Sequence, residues 1–342
     1  RIAGNHSVRT GADFRLLREN GYNFGNVAPR IEFGNGWTRG PLDTSTAAPI
    51  GQGLASFLLG IPTGGSISNN ASRAEQSTFY SLFFQDDWRL TPRLTVNLGL
   101  RWEYEGPTPE RFNRSIRGFD FTTPNPIQAA AQAAYAHAPI PEVAPSAFRT
   151  LGGLTFPGVG GVARGLWNGD RNNFAPRLSI AWQVTPKTAL RAGYGIFFDV
   201  RGVDRTDVNQ GGFNQPTSLI PSLDNGLTFR ATLANPFPDG IQVPTGAAGG
   251  LRTFVGRGVS YFDETSVNPY MQRWTLSVQR ELPGRILVQT AYVGNRGTKM
   301  SVSREWNAVP RQYLSTSPVR DQATIDYLGA QVTNPFTTFS DF

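Results

Sequence analysis

The strongest pattern in the chain is a strict alternation of apolar and polar residues between Arg93 and Glu105. Every second residue there is aliphatic or aromatic, and each residue between them is polar or glycine. The apolar positions are Leu94, Val96, Leu98, Leu100, Trp102 and Tyr104. Successive side chains of a β-strand point to opposite faces, so this segment is predicted to be a long strand with one apolar and one polar face.

A second alternating segment precedes the first and completes a predicted hairpin. Across residues 78–89 one face is aliphatic and aromatic and the other is polar, with Asp86 and Phe83 as the two exceptions. Residues 90–93 join the two segments and contain a proline, which fixes one backbone dihedral angle and favours a tight turn. The pair of segments therefore predicts a hairpin of two unusually long strands.

The same hairpin pattern occurs twice more along the chain. One copy covers residues 174–199 with a turn at residues 185–187, and the other covers residues 270–294 with a turn at residues 282–285. A further alternating segment at residues 8–16 predicts a strand near the start. Together these segments predict about seven long antiparallel strands.

The predicted connections differ greatly in length at the two ends of the strands. At one end they take a few residues, whereas at the other they cover roughly residues 20–77, 106–173 and 200–269. Compact soluble domains mostly have short connections, while outer-membrane barrels combine short periplasmic turns with long extracellular loops. The predicted fold class is therefore all-β, an antiparallel transmembrane β-barrel. Such barrels close with an even number of strands from about eight upward, so we expect residues 1–342 to be part of one barrel domain whose remaining strands lie outside this sequence.

The alternation also predicts which side chains face lipid and which face a wet lumen. A strand tilted by about 40° rises roughly 2.5 Å per residue, so about ten residues span an apolar band of about 25 Å. The residues predicted to face lipid or to form aromatic girdles are Trp88, Trp102, Tyr104, Trp182, Tyr194, Phe198, Trp274 and Tyr292. The charged residues predicted to face the lumen are Arg93, Arg101, Glu103, Arg177, Arg191 and Arg273. In the alternative, a soluble sandwich, the apolar faces would stack against each other.

The composition agrees with an all-β chain that has long loops. Glycine (38) and proline (25) are abundant, and only 17% of the residues are charged. Cysteine is absent, and the two histidines, His6 and His137, are expected in loops. This composition argues against thiolate zinc sites and histidine-rich clusters, so we predict no metal and no cofactor. No Ser-His-Asp set is suggested either, and we do not expect an enzyme.

Charge and hydropathy narrow the possible partners. The net charge of +7 comes from Lys and Arg residues that are scattered singly, and no nucleic-acid-binding motif is present, so no nucleic-acid partner is expected. No segment approaches the roughly 20 apolar residues that a membrane-spanning helix requires. A chain that crosses a membrane with this sequence would do so with strands.

Three features of the long connections need separate interpretations. Residues 127–138 are rich in alanine and predict a short helix that Asn125 caps. The glycine-rich residues 152–165 lack the ending of a phosphate-binding loop and are predicted to be a flexible loop. Asp199, Asp204 and Asp207 form a loose acidic cluster whose spacing does not match a calcium loop.

Several hairpin segments carry distinctive motifs, of which Phe-Gln-Asp-Asp-Trp at residues 84–88 is the most specific. The segments are residues 80–104, 173–178, 190–199, 272–282 and 291–297. With these motifs the chain resembles TonB-dependent outer-membrane receptors over most of residues 6–300. The resemblance is strongest to the Oar-like branch, which has a carboxypeptidase-regulatory-like N-terminal domain.

This resemblance implies a plugged barrel of the transporter type, with about 22 strands, in the outer membrane of a Gram-negative bacterium. Uptake of an unidentified substrate would be energised by TonB through an N-terminal region, which is expected outside this sequence together with the plug. Outer-membrane lipid and the barrel-assembly machinery are the other expected partners. Two alternatives stay open: a passive or structural barrel of the porin or adhesion type, and a secreted all-β binding module or glycosidase.

Overall fold

The computed structural model describes residues 2–42, 44–48, 50–201, 208–256 and 258–337. In chain order the strands are β1 (Ile2–Ala3), β2 (His6–Gly21), β3 (Arg30–Glu32), β4 (Gly64–Asn70), β5 (Arg73–Thr91), β6 (Leu94–Glu105), β7 (Gly118–Pro124), β8 (Leu151–Thr155), β9 (Asn173–Thr185), β10 (Thr188–Phe198), β11 (Asn214–Ser218), β12 (Tyr270–Leu282) and β13 (Ile286–Thr298). The helices are α1 (Gln52–Leu58), α2 (Gln128–Tyr135) and α3 (Gln322–Leu328), with 3-10 turns at Pro145–Ala147, Gly246–Arg252 and Arg311–Tyr313.

One large antiparallel sheet dominates the structure. Its strand order is β1-β2-β5-β6-β9-β10-β12-β13, so each long strand pairs with the next long strand along the chain. The seven long strands contain 11 to 19 residues each and coincide with the seven predicted segments. Within the described residues, the first and last strands of this sheet do not pair with each other, and the sheet is open.

The short connections of the sheet all lie at one end. Two residues join β5 to β6, two join β9 to β10, and three join β12 to β13. In the last turn Gly284 and Arg285 both have positive φ angles, 81° and 59°, which suits the twist of a tight hairpin. Arg93, predicted to face the lumen from a strand, lies in the β5–β6 turn instead, because β6 begins at Leu94.

The apolar face of the sheet is the exposed one. Leu82, Leu100 and Tyr292 are 58%, 48% and 62% exposed, whereas Ser81 on the polar face is 1% exposed. This is the reverse of a soluble sheet, whose apolar side chains are buried. Among the described residues no second sheet covers this face, which contradicts the sandwich alternative and agrees with strands that turn apolar side chains toward lipid.

The long connections fold against one another at the opposite end of the sheet. We call the described parts of residues 22–72, 106–172 and 199–269 the loop cap. Within it β4 of the first connection pairs with β3 and with β11 of the third, while β7 and β8 of the second form a hairpin. The cap has its own apolar core, in which Ile116, Leu154 and Phe156 pack against Phe213 and Phe254. The long connections therefore form a folded layer.

The glycine-rich residues 152–165 differ from the prediction of a flexible loop. Their first part forms β8, and Leu154 is buried in the core of the cap. Gly152 has a φ angle of 71°, and a Cβ atom there would overlap the carbonyl oxygen of Asp120. Glycine at this position thus permits close packing of β8 on β7, while Gly160 and Gly161 lie in an open turn.

The predicted helix in the second connection is present as α2, but its cap differs. Ile127 occupies the N-cap position and the helix ends at Tyr135. Asn125 is buried and its side-chain Nδ2 donates to the carbonyl oxygens of Gly152 and Leu251, at 2.8 and 2.7 Å. Its Oδ1 also accepts the N–H of Ile127, at 3.2 Å, so Asn125 contacts the residue before α2 but makes no side-chain hydrogen bond to the first turn of the helix, and it ties the second connection to the third.

No helix among the described residues is both long and apolar enough to cross a membrane.

Candidate functional site

The polar face of the sheet carries the predicted lumen-facing residues and is the candidate functional surface. Arg101 and Glu103 on β6, Arg177 on β9, Arg191 on β10 and Arg273 on β12 all lie on this face by strand register. Residues directly opposite in an antiparallel pair share a face. The sheet thus gathers these five side chains on one surface, although whether that surface encloses a lumen stays a prediction.

The part of this face formed by β2, β5 and β6 holds a network of opposite charges. The Arg101 guanidinium contacts Glu103 at 2.6 Å and Asp13 at 3.5 Å, and Arg15 contacts Asp13 at 2.7 Å. Ser81 lies between Asp13 and Glu103 in the register. These charges compensate one another, which lowers the cost of placing them on a partly buried surface.

The part formed by β9, β10 and β12 is different, because Arg177, Arg191 and Arg273 form no ion pair with any carboxylate among the described residues. Gly195 lies opposite both Arg177 and Arg273, so the two arginines flank a position without a side chain. The Arg177 guanidinium stacks on the Phe197 ring, 4.9 Å from its centroid. A depression of about 320 Å³ lies here, and its polar and charged lining residues include Gln85, Asn97, Arg177, Ser179, Arg273 and Thr275.

Two aromatic side chains on the polar face each lie over a glycine. The Phe83 ring occupies the space above Gly11 on the neighbouring strand, and the Phe197 ring lies over Gly195. Phe83 thus fills a gap on the neighbouring strand β2, whereas Phe197 covers a glycine two residues earlier on its own strand, β10. Phe83, an exception in the sequence pattern, is explained by this packing.

The predicted girdle residues lie together on the apolar face. Trp102 and Tyr104 stack with ring centroids 6.2 Å apart, and the Trp102 Nε1 donates to the carbonyl oxygen of Arg171 at 2.8 Å. Tyr194 lies opposite Trp274, and Phe198 contacts Tyr270 with ring centroids 5.4 Å apart. The remaining predicted residues, Trp88, Trp182 and Tyr292, lie on the same face by register. Contact of these rings with lipid stays a prediction.

Asp86, the charged exception on the apolar face, has a partner that the sequence did not predict. Its Oδ2 lies 2.6 Å from Nδ1 of His6, and the His6 ring stacks on Trp88 with centroids 5.2 Å apart. His6 begins β2 and is not in a loop as predicted. His137 lies in the turn that follows α2. Asp87 points to the other face, where it lies 3.7 Å from Arg9.

Two buried glutamates connect the sheet to the loop cap. Glu105 at the end of β6 accepts a hydrogen bond from the backbone N–H of Arg201 at 2.7 Å. Glu110 is fully buried, and its carboxylate accepts backbone N–H groups from Ala74, Phe112 and Arg114 at 2.6 to 2.9 Å. A carboxylate that satisfies several backbone donors holds a loop in one conformation. Neither residue was identified as functional from the sequence. The alternation gave one signal, because it places the Glu105 side chain on the polar face.

Ionisable groups in the cap are held in defined states by their neighbours. Burial lowers the pKa of Arg117, whose Nε donates to the carbonyl oxygen of Gly165 and whose guanidinium contacts Glu264. Hydrogen bonds from Thr228, first from its hydroxyl, lower the pKa of Asp224 to about 2. These contacts order the cap.

The acidic cluster of the third connection is only partly described. Asp204 and Asp207 lie outside the described residues, and the Asp199 carboxylate accepts the N–H of Val200 at 3.0 Å. Within the described residues, no group of three or more His, Cys, Asp or Glu side chains is arranged to hold a metal ion.

Comparison with known proteins identifies the family of the chain. No protein with a curated function matches the sequence. Among solved structures, the chain is similar to the alcaligin outer membrane receptor FauA from Bordetella pertussis, with 8% identity and a TM-score of 0.23; the match covers 70% of this chain and 39% of that receptor. At this score the likeness adds nothing to the assignment. The model of the outer membrane beta barrel domain family matches residues 1–342. The chain therefore belongs to the outer membrane beta barrel domain family, and its location is the bacterial outer membrane.

Proposed function

We propose that this chain forms part of the barrel of a TonB-dependent outer-membrane transporter that takes up a solute along the polar face of its sheet. The observation that carries the proposal is the loop cap, which folds as one layer at the end of that face. A receptor that captures its substrate before transport needs such an ordered surface. We expect the chain to perform no catalytic step.

The cap is joined to the polar face and across its own parts. Glu105 continues the polar face into the third connection through Arg201. The pairing of β4 with β11 joins the first connection to the third, and a β-bridge between Ile116 and Asn209 joins the second to the third. Binding of a substrate to one connection would therefore be transmitted to the other two, because these pairings join all three. The hairpin motifs that resemble TonB-dependent receptors support the same proposal.

Binding to TonB tests the energy coupling. We expect the purified full protein to bind the soluble C-terminal domain of TonB, and removal of its N-terminal coupling segment to abolish that binding. Surface-immobilised TonB domain with the full protein in detergent is the assay. A protein that retains the same affinity without the segment does not couple in this way.

Conductance in planar lipid bilayers tests the passive alternative. A barrel closed by a plug is expected to show no steady single-channel current at moderate voltage. Steady, defined conductance of the full protein, together with no binding to the TonB domain, would support a porin and refute the proposal.

A further inference from the structure

The polar face is electrostatically unequal between its two halves. On β2, β5 and β6, Arg15 and Arg101 contact Asp13 and Glu103 within 3.5 Å. Strands β9 and β10 contain no acidic residue, and β12 contains only Glu281, next to its final residue. Within the part of the chain that the structure describes, Arg177, Arg191 and Arg273 form no ion pair with a carboxylate. Positive charge is thus left uncompensated on this half of the face.

Arg177 and Arg273 are placed so that both can reach one bound group. They lie on β9 and β12, on either side of Gly195 of β10 and of the Phe197 ring that covers it, and both line the depression beside that ring. Adjacent strands are about 4.8 Å apart, so the two Cα atoms are separated by roughly 10 Å. The Phe197 ring holds the Arg177 guanidinium by stacking at 4.9 Å, which orients it before any ligand arrives.

The depression beside the two arginines has the size and chemistry of a small-molecule site. Its volume of about 320 Å³ lies in the range of ligand pockets. Hydroxyl groups of Ser179 and Thr275 and the amide of Gln85 add hydrogen-bonding groups, and no carboxylate is among the lining residues. Gly99 and Gly193 keep the floor low, since neither has a side chain to fill it.

We propose that this groove binds a small solute that carries carboxylate or phosphate groups, with Arg177 and Arg273 as the anion contacts. The planar guanidinium group donates two parallel hydrogen bonds to either anion, which a single ammonium group does not. The inference rests on the proposed function in one respect, because it takes the polar face as the side that meets the solute.

The test is equilibrium binding of two probes, citrate and inorganic phosphate, to the purified full protein by isothermal titration calorimetry. We expect at least one probe to bind, and Arg177→Gln and Arg273→Gln each to weaken that binding about tenfold or more, as for loss of a charged hydrogen bond. Arg191→Gln is the matched control. It removes the same charge from the same face, but Arg191 lies opposite Ala181 and Ser277 and outside the groove, so we expect less than a twofold change.

Three results would overturn the inference. In the first, neither probe binds the native protein. In the second, Arg191→Gln weakens binding as much as the two groove variants, which would show that the probes respond to the general positive charge of the face. In the third, Arg177→Gln and Arg273→Gln lower the melting temperature but leave probe binding unchanged, which would assign the groove to a carboxylate of the protein itself. All variants are first checked for heat-modifiable gel migration. Because binding is measured without TonB, its failure leaves the coupling assay standing, and a failed coupling assay does not change the binding result.

Discussion

At the scale of single residues, a charged side chain on the apolar face needs both an oppositely charged or polar partner and a favourable depth in the membrane. Asp86 has its partner in His6, at 2.6 Å, and both lie near the short-turn end of the sheet beside Trp88. Charged groups on a lipid-facing surface are tolerated near the membrane interface and costly at the midplane. The His6–Asp86 pair therefore lies where one boundary of the apolar band is expected.

A charge placed at mid-height should show this depth dependence. Leu276→Arg lies in the middle of β12 on the apolar face, and we expect it to destabilise the folded barrel by about 2–4 kcal/mol. Ser277→Arg is the control, because it places the same charge one residue away on the polar face. Guanidinium-induced unfolding of the full protein in lipid vesicles measures both. Equal losses in the two variants would show that the faces are assigned wrongly.

The faces of single residues were predictable, but their partners were not. The period of two in a strand places Arg101 and Trp102 on opposite faces from sequence alone. The contact of Arg101 with Asp13 depends on the register between β2, β5 and β6, which involves residues far apart in the chain. Local periodicity contains no information about that register. For the same reason, the partner of Asp86 and the groove around Gly195 could not be predicted from the sequence.

At the scale of elements, the long strands were predictable and the cap elements were not. A strand of β6's length repeats its pattern often enough to stand out, whereas β8 has five residues, of which two are glycine. It pairs with β7 and packs on the third connection, where a Cβ atom at Gly153 would overlap the carbonyl oxygen of Leu251. Elements held by such non-local contacts have a composition typical of loops.

The β7–β8 hairpin should be sensitive to a single methyl group. Gly152→Ala would place a Cβ atom against the carbonyl oxygen of Asp120, so we expect local destabilisation of about 1–3 kcal/mol beyond the backbone strain. Gly160→Ala is the control, since it has a similar positive φ angle of 58° and no atom within 4 Å of the new Cβ. Hydrogen exchange of residues 118–124 and 151–155 should accelerate only in Gly152→Ala. Acceleration in both variants would attribute the effect to backbone strain alone.

At the scale of the whole molecule, the cap is held together by pairing between connections that are distant in sequence. Asn69 of β4 lies opposite Gln215 of β11. Opposed residues in an antiparallel pair have Cα atoms about 4.5–5.5 Å apart, within the range that a disulfide bridges. Residues 1–342 contain no cysteine, so two introduced thiols have no competing partner within this part of the protein.

We expect the full protein with Asn69→Cys and Gln215→Cys to form an internal disulfide under mild oxidation, visible as a shift in non-reducing electrophoresis. The control combines Asn69→Cys with Ser218→Cys. Ser218 lies opposite Ser66, which moves the second thiol about 10 Å along the strand and out of reach. Similar crosslinking in both pairs would mean that the connections are not held in this register.

The joining of β4 to β11 also has a consequence for how the chain acquires its structure. The neighbouring hydrogen bond between Ala71 and Asn214 spans 143 positions, whereas each long hairpin closes over a turn of a few residues. Closing a larger chain segment costs more entropy and slows its formation. The three hairpins should accordingly form early and the cap last, so a folding intermediate is expected to have its hairpins formed while its outer connections are still open to protease.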